Sequence, residues 1–226
     1  MHLLLLNGSP KGERGNSNHL LKLFMEGVNE TPGHTHESVN LVEVREHARF
    51  MELFARADGV IWAMPVYADM MPAIDKLFME RLEPLCGRQG NPALGFIVQG
   101  GFPEAMQMRA LEAYLEKLSR RLGCRYLGTA LRGSGETLRV MPRFMIKGFI
   151  EGAIRLGREF GRTGEFDADI ILRFARYETM SPFRLLQRMA LIEPLLKLLM
   201  WHPDMKRNGV YAQRFARPYA DPPEGW

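Results

Sequence analysis

The chain has 226 residues, 46% of them hydrophobic and 25% charged, with a formal net charge of +4. That length holds a core that needs no staples, in one domain or one domain with an extension, and the composition is ordinary for a soluble globular protein. Two cysteines, Cys86 and Cys124, make neither a disulfide framework nor a zinc or iron–sulfur site; they fit a reducing compartment as partly buried small residues.

The first element is a four-leucine run, Leu3 to Leu6, short enough for a strand buried on both faces. It breaks at Asn7-Gly8-Ser9-Pro10, and Asn16, Ser17 or Asn18 can then cap a helix carrying Leu20, Leu21, Phe24 and Val28. A strand, a Gly-rich loop and a helix start point backbone N–H groups and a helix dipole at one spot, which suits an anion. Ser9 and Ser17 add hydroxyls, Asn16 and Asn18 amides, and Lys11 a charge. The spacing is not that of an NTPase P-loop, nor of the Gly-x-Gly-x-x-Gly dinucleotide fingerprint. No cysteine lies in the loop, so it is not a thiolate phosphatase loop. A hydroxyl-rich cradle for a terminal phosphate remains.

Pro32-Gly33 ends the first helix, and residues 37–42 alternate like a strand. A helix over 45–56 follows, then a buried strand Gly59–Met64 stopped by Pro65, and a helix over 72–82 with Ile74, Leu77, Phe78 and Leu82 on one face. Ala93–Val98 is a fourth strand, 104–122 a long helix, 125–131 a fifth strand and 141–161 the last core helix. Strands alternating with helices predict a parallel sheet covered on both faces, doubly wound in the order 2-1-3-4-5, with its ligand at the carboxyl ends of strands 1 and 3. The loops that meet there are unusual. Pro65-Val66-Tyr67 sets an aromatic ring just past a buried strand, and Gly100-Gly101 lets backbone approach a flat ligand. A ligand with a phosphate at one end and a planar heterocycle at the other fits all three loops.

Ser9-Pro10-Lys11 with Gly15-Asn16-Ser17, then Ala57-Asp58-Gly59-Val60-Ile61 leading into Pro65-Val66-Tyr67, then Met71-Pro72-Ala73 and Lys76-Leu77-Phe78, resembles the NADPH-dependent FMN reductase family over about residues 1–130. The resemblance implies an α/β, flavodoxin-like fold, an FMN cofactor with NAD(P)H as co-substrate, and a homodimer. It implies that Ser9, Lys11, Asn16, Ser17 and Asn18 hold the FMN phosphate. Pro65, Val66 and Tyr67 would line the isoalloxazine, with Gly100 and Gly101 at its edge. The iron–sulfur insertion of some members has no counterpart here, and Asp69 departs from the pattern in its loop. The activity implied is transfer of hydride from NAD(P)H to FMN and of electrons onward to a small acceptor such as a quinone, an azo or nitro compound, or a metal complex. The scheme needs no side-chain acid or base, so no catalytic residue is assigned. A flavodoxin-type electron carrier or FMN-binding regulator is the alternative, disfavoured because such carriers are compact and acidic.

The expected division is 1–164 as the FMN-binding domain and 165–226 as a helical extension. Phe183–Trp201 carries an apolar stripe, Leu185, Leu186, Met189, Ile192, Leu195, Leu196 and Leu199, which Pro194 and Pro203 should break; it reads as a cover or dimer element. The arginines of the tail from Lys206 to Tyr219 suit a nucleotide 2′-phosphate or a partner subunit. The positive surplus lies in residues 131–226 and reads as a solvated helical face rather than a nucleic-acid surface. His34, His36 and His47 lack the company of a metal site and read as surface residues. No run is long enough to span a membrane, and the first leucines lack the flanks of a secretory signal, so a cytoplasmic location is expected.

Overall fold

A computed structural model describes residues 1–217. Five parallel strands form one sheet in the order β2-β1-β3-β4-β5: β1 His2–Asn7, β2 Thr35–Asn40, β3 Gly59–Pro65, β4 Ala93–Gln99 and β5 Tyr126–Arg132. The helices between them are α1 Asn16–Val28, α2 His47–Arg56, α3 Ala73–Arg81 and α4 Arg109–Leu122; the short α5 Thr137–Val140, α6 Lys147–Thr163 and α7 Ala168–Ala175 follow β5. This is the flavodoxin-like, doubly wound fold in the order read from the sequence.

Alternation along each strand divides the core. Leu4, Leu6, Val60, Trp62 and Phe96 join Phe50, Phe54 and Phe78 in one cluster. Leu3 and Leu5 are buried on the opposite face, where Phe24, Phe160 and Phe166 pack together. Helices α1 and α6 meet backbone to backbone through glycines. A Cβ on Gly157 would lie 1.8 Å from the Phe24 carbonyl oxygen, and one on Gly27 2.0 Å from that of Ile154.

Several boundaries differ from the expectation. The last core helix begins at Lys147, after Pro142, which cannot continue a helix through its own position. Helix α4 begins at Arg109, preceded by a 3-10 turn over Ala105–Met108. Helix α7 was not foreseen. It packs on β5, its start is capped by Asp167 Oδ1 accepting from the Ile170 N–H at 2.9 Å, and the compact unit it closes runs from Met1 to Met180, past position 164. His47 is buried rather than exposed, its Nε2 bonded to the Leu41 carbonyl at 2.7 Å and its ring on Phe78. Cys124 is buried and Cys86 exposed.

The second unit is Ser181–Trp226. Helix α8 Pro182–Leu196 passes through a π-helical stretch, Lys197–Trp201, into α9 His202–Arg207. The expected break at the prolines does not occur: Pro194 lies inside α8, and the run passes through the π stretch to Pro203 in the first turn of α9, where a missing N–H costs least. Phe183, Leu186, Met189, Leu191, Leu198 and Trp201 stand exposed on this run. Pro218 and Tyr219, the end of the arginine-bearing tail, lie outside the described residues. No helix among the described residues is long and apolar enough to cross a membrane.

Candidate functional site

The loop after β1 is held from within. Asn7 Nδ2 donates to the Gly12 carbonyl at 2.9 Å and to Asn40 Oδ1 at 2.8 Å, while Asn7 Oδ1 accepts from the Ser9 N–H at 3.1 Å. Ser9 Oγ accepts from the Lys11 N–H at 3.3 Å. The hydroxyl fills the space beside Gly15, where a Cβ would come within 2.2 Å of it. Gly12 turns the chain at φ +56°.

Helix α1 starts from Gly15 in an extended conformation, with no side chain capping it. The expected capping residues instead occupy its first turn. Ser17 is fully buried and its Oγ has no hydrogen-bond partner; Asn16 Oδ1 is likewise buried and unpartnered. An uncapped helix start with orphaned polar atoms is incomplete unless something polar fills it. The hydroxyl can donate to an anion, and the Asn16 oxygen can accept from a ligand hydroxyl. A phosphate with a polyol attached fits this donor and acceptor set. Two predicted members take other positions: Asn18 Nδ2 is engaged by the Glu13 carbonyl at 2.8 Å, and Lys11 is exposed.

Beside the cradle lies a cleft of about 400 Å³ lined by Val66, Tyr67, Gly100, Gly101, Phe102, Met108 and Glu136, among others. Pro65 ends β3, and the Val66 N–H donates to the Gln99 carbonyl at 2.9 Å, fixing one wall to β4. Tyr67 and Met70 exchange backbone bonds of 2.9 and 3.2 Å around Ala68 and Asp69, both at positive φ (47° and 68°). Aspartate tolerates that conformation through its short polar side chain. Tyr67 is 46% exposed, so its ring is offered to the cleft rather than consumed by the core. Burial first, then the charges of Glu136 and Asp75, hold its phenol above the ordinary value. The Gly100 N–H is already bonded to the Arg132 carbonyl at 3.0 Å. Gly101 is the open member of the pair, since an added Cβ there would meet nothing within 4 Å.

Sequence reasoning missed the loop after β5, although Gly133-Ser134-Gly135 signals a turn. Gly135 joins the two halves of the site: its carbonyl accepts from Asn16 Nδ2 at 3.0 Å and its N–H donates to the Gly100 carbonyl at 2.8 Å. Also missed was Asp75, fully buried in the first turn of α3, with Oδ1 accepting from Trp62 Nε1 at 2.7 Å. The far end of the cleft is pinned by the segment after α7. The Ala105 and Met106 N–H groups donate to the Tyr177 and Glu178 carbonyls, Glu104 accepts from the Met180 N–H at 2.7 Å, and Arg109 forms a two-pronged ion pair with Glu178.

A doubly wound sheet with orphaned polar atoms at the helix start after β1 and an open cleft at the ends of β3 and β4 is the arrangement of a flavodoxin-like fold. The chain belongs to the family described as flavodoxin-like fold, whose model matches residues 1–135. The resemblance to NADPH-dependent FMN reductases agrees with that membership. Among solved structures, an NAD(P)H:quinone oxidoreductase from Methanothermobacter marburgensis is 17% identical, with a TM-score of 0.56 over 74% of this chain and 97% of that one. An FMN-dependent NADH-azoreductase from Bacillus anthracis, in complex with FMN, is 14% identical, with a TM-score of 0.55 over 71% of this chain and 97% of that one. An NADH:FMN oxidoreductase in its apo form is 16% identical, with a TM-score of 0.55 over 70% and 88%. At these identities the likeness is one of fold. No curated protein matches the chain.

Proposed function

We propose that this protein is an FMN-dependent oxidoreductase that takes hydride from NAD(P)H and delivers electrons to a small acceptor: a quinone, an azo or nitro compound, or a metal complex. The observation that carries the reading is the Gly135 bridge, which ties an incomplete anion cradle to an aromatic-walled cleft through Asn16 on one side and Gly100 on the other. FMN, when bound, supplies the two-electron chemistry. The chain's residues bind and orient it. Ser9, Ser17 and the open first turn of α1 take the phosphate, and Asn16 Oδ1 accepts from a ribityl hydroxyl. Pro65, Val66 and Tyr67 wall the ring, and Gly101 leaves room for close approach at its edge. Lys11 contributes long-range attraction from the surface, and Asn18 braces the loop.

Nicotinamide use by proteins of similar fold supports the co-substrate. The two unbridged thiols suit a reducing, cytoplasmic setting. The exposed apolar residues of α8 and the π stretch suit a homodimer contact, which light scattering on the full chain and on a chain ending at Met180 tests: the first should be dimeric and the second monomeric.

The primary test is the visible absorbance spectrum of the purified protein after FMN is added and the excess removed. Retained flavin, followed by steady NAD(P)H oxidation with a simple quinone, supports the enzyme. Retained flavin without turnover identifies a carrier instead. No retained flavin at any FMN concentration overturns the reading.

A further inference from the structure

Asp75 has no exposed surface, and its Oδ2 is buried without a hydrogen-bond partner. The carboxyl lies against Gly8: a Cβ there would come within 1.8 Å of Oδ1 and 2.8 Å of Oδ2. Gly8 opens the cradle loop, and Ser9 follows it. A carboxyl is thus built against the loop that the flavin reading gives to the phosphate. Trp62 faces it from β3, the Gly8 backbone from the β1 loop and its own first turn from α3; at longer range its charge bears on the Tyr67 phenol. Among the described residues no Lys, Arg or His side chain bonds to it. Burial pushes its pKa well above the ordinary carboxyl value, against the Trp62 bond and the helix backbone, which both favour the charged form.

An ionised carboxylate with no cation beside it opposes a phosphate entering the same loop, whereas a neutral carboxyl does not. Resting on the flavin reading above, we propose that Asp75 is a proton-holding residue of the cradle, neutral whenever a phosphate-ended ligand is bound, so that FMN and a proton bind together. The coupling is reciprocal: the ligand tightens the hold on the proton, and the proton tightens the hold on the ligand. Asp75 touches the loop and not the reacting ring, so it is a positioning and affinity residue. Its effect belongs to the phosphate end of the ligand and is absent for riboflavin.

The test is flavin-fluorescence quenching on the apoprotein and on Asp75→Asn, with FMN and riboflavin, between about pH 5 and about pH 9. Asparagine keeps the acceptor for Trp62 and stays neutral. The titration of the ligand's own phosphate, near pH 6, enters both proteins alike. The wild type should lose roughly tenfold or more of its FMN affinity relative to Asp75→Asn as pH rises, with no such divergence for riboflavin. Parallel FMN profiles overturn the proposal alone. Failure of both proteins to bind FMN at any pH overturns the flavin reading and the proposal with it. Trp62→Phe provides a second measurement: losing the donor to Oδ1 should move the wild-type fall to higher pH, and an unmoved profile overturns the proposal.

Discussion

Asn16 and Gly135 are 119 residues apart in sequence and share a buried hydrogen bond of 3.0 Å. Through it the first turn of α1 and the loop after β5 hold one another in place, and Gly135 passes the constraint to Gly100. Replacing Asn16 by alanine removes one of the two donors to the Gly135 carbonyl, which keeps the Leu138 N–H at 3.1 Å but loses its tie to α1. We expect a loss of about 1 kcal/mol in stability and FMN binding weaker by roughly tenfold. Gly135→Ala should be worse for the fold, because its Cβ would meet the buried Gln99 side chain at 1.7 Å; overpacking of this kind costs about 1–3 kcal/mol. Urea denaturation and FMN titration of both variants check this, and unchanged values in both would remove Gly135 as the bridge.

Ser17 separates stability from binding. Its hydroxyl is buried and unpaired in the protein alone, so Ser17→Ala should leave the apoprotein as stable or more stable, by about 1 kcal/mol. The same change should weaken FMN roughly tenfold. Ser9→Ala removes a group that also receives the Lys11 N–H, so it should lower both quantities. Thermal melts of the apoproteins beside FMN titrations separate the two residues. Parallel losses in stability and affinity for Ser17→Ala would show its hydroxyl to be structural.

The sheet was legible because its signals are local: four consecutive leucines, a Gly-Ser-Pro break and a third strand ended by Pro65 each report their own surroundings. The loop after β1 and the start of α1 were legible for the same reason. Asp75 was not, because in sequence it is an ordinary acidic residue in a helix's first turn. Only Trp62, brought to it by the β3–α3 connection, and Gly8, brought by β1, make it buried. His47 misled similarly, its burial being supplied by Phe78 and by Leu41, whose carbonyl it bonds. Helix α7 did leave a signal in the Asp167 cap and the Ile170–Phe174 spacing, but its place on β5 depends on Arg132. That guanidinium lies 5.5 Å from the Phe174 ring and donates to its carbonyl at 2.7 Å.

Truncation follows from that packing. A chain ending at Met180 keeps α7, the Phe174–Arg132 contact and the backbone bonds from Ala105 and Met106 to Tyr177 and Glu178. It should fold cooperatively and retain FMN. A chain ending at 164 strips the cover from β5 and removes the Phe174 contacts of the buried Arg132. We expect it to be destabilised by about 3 kcal/mol or more, or insoluble. Circular dichroism melts of the two truncated chains decide the matter; equal melting temperatures would show α7 to be dispensable.

The two thiols should react very differently. Burial, and then the neighbouring Cys86, pushes the Cys124 thiol up to about 12, whereas Cys86 is exposed. Only the thiolate attacks a disulfide reagent, so Cys124 is protected twice, by protonation and by access. An aromatic disulfide reagent at neutral pH should titrate one thiol in the native protein and both after denaturation, and Cys86→Ser should abolish the native reaction. A native Cys86→Ser protein that still reacts would mean that the core around Cys124 opens readily.

Asp75 sets a pH dependence of stability apart from any ligand. Its unfolded carboxyl titrates near the ordinary value of about 3.9, and its folded value is raised by burial. Between the two, the native state holds a proton that the unfolded chain has released. Stability contributed through this residue is therefore greatest below the unfolded value, falls as pH rises through the window up to the raised native value, and is level beyond it. Asp75→Asn cannot ionise and keeps the Trp62 bond, so its stability should exceed that of the wild type at neutral pH and approach it near about pH 4. Denaturant midpoints for both proteins across that range give the comparison. A difference that stays constant with pH would mean that Asp75 titrates normally in the fold and that its effect is one of packing.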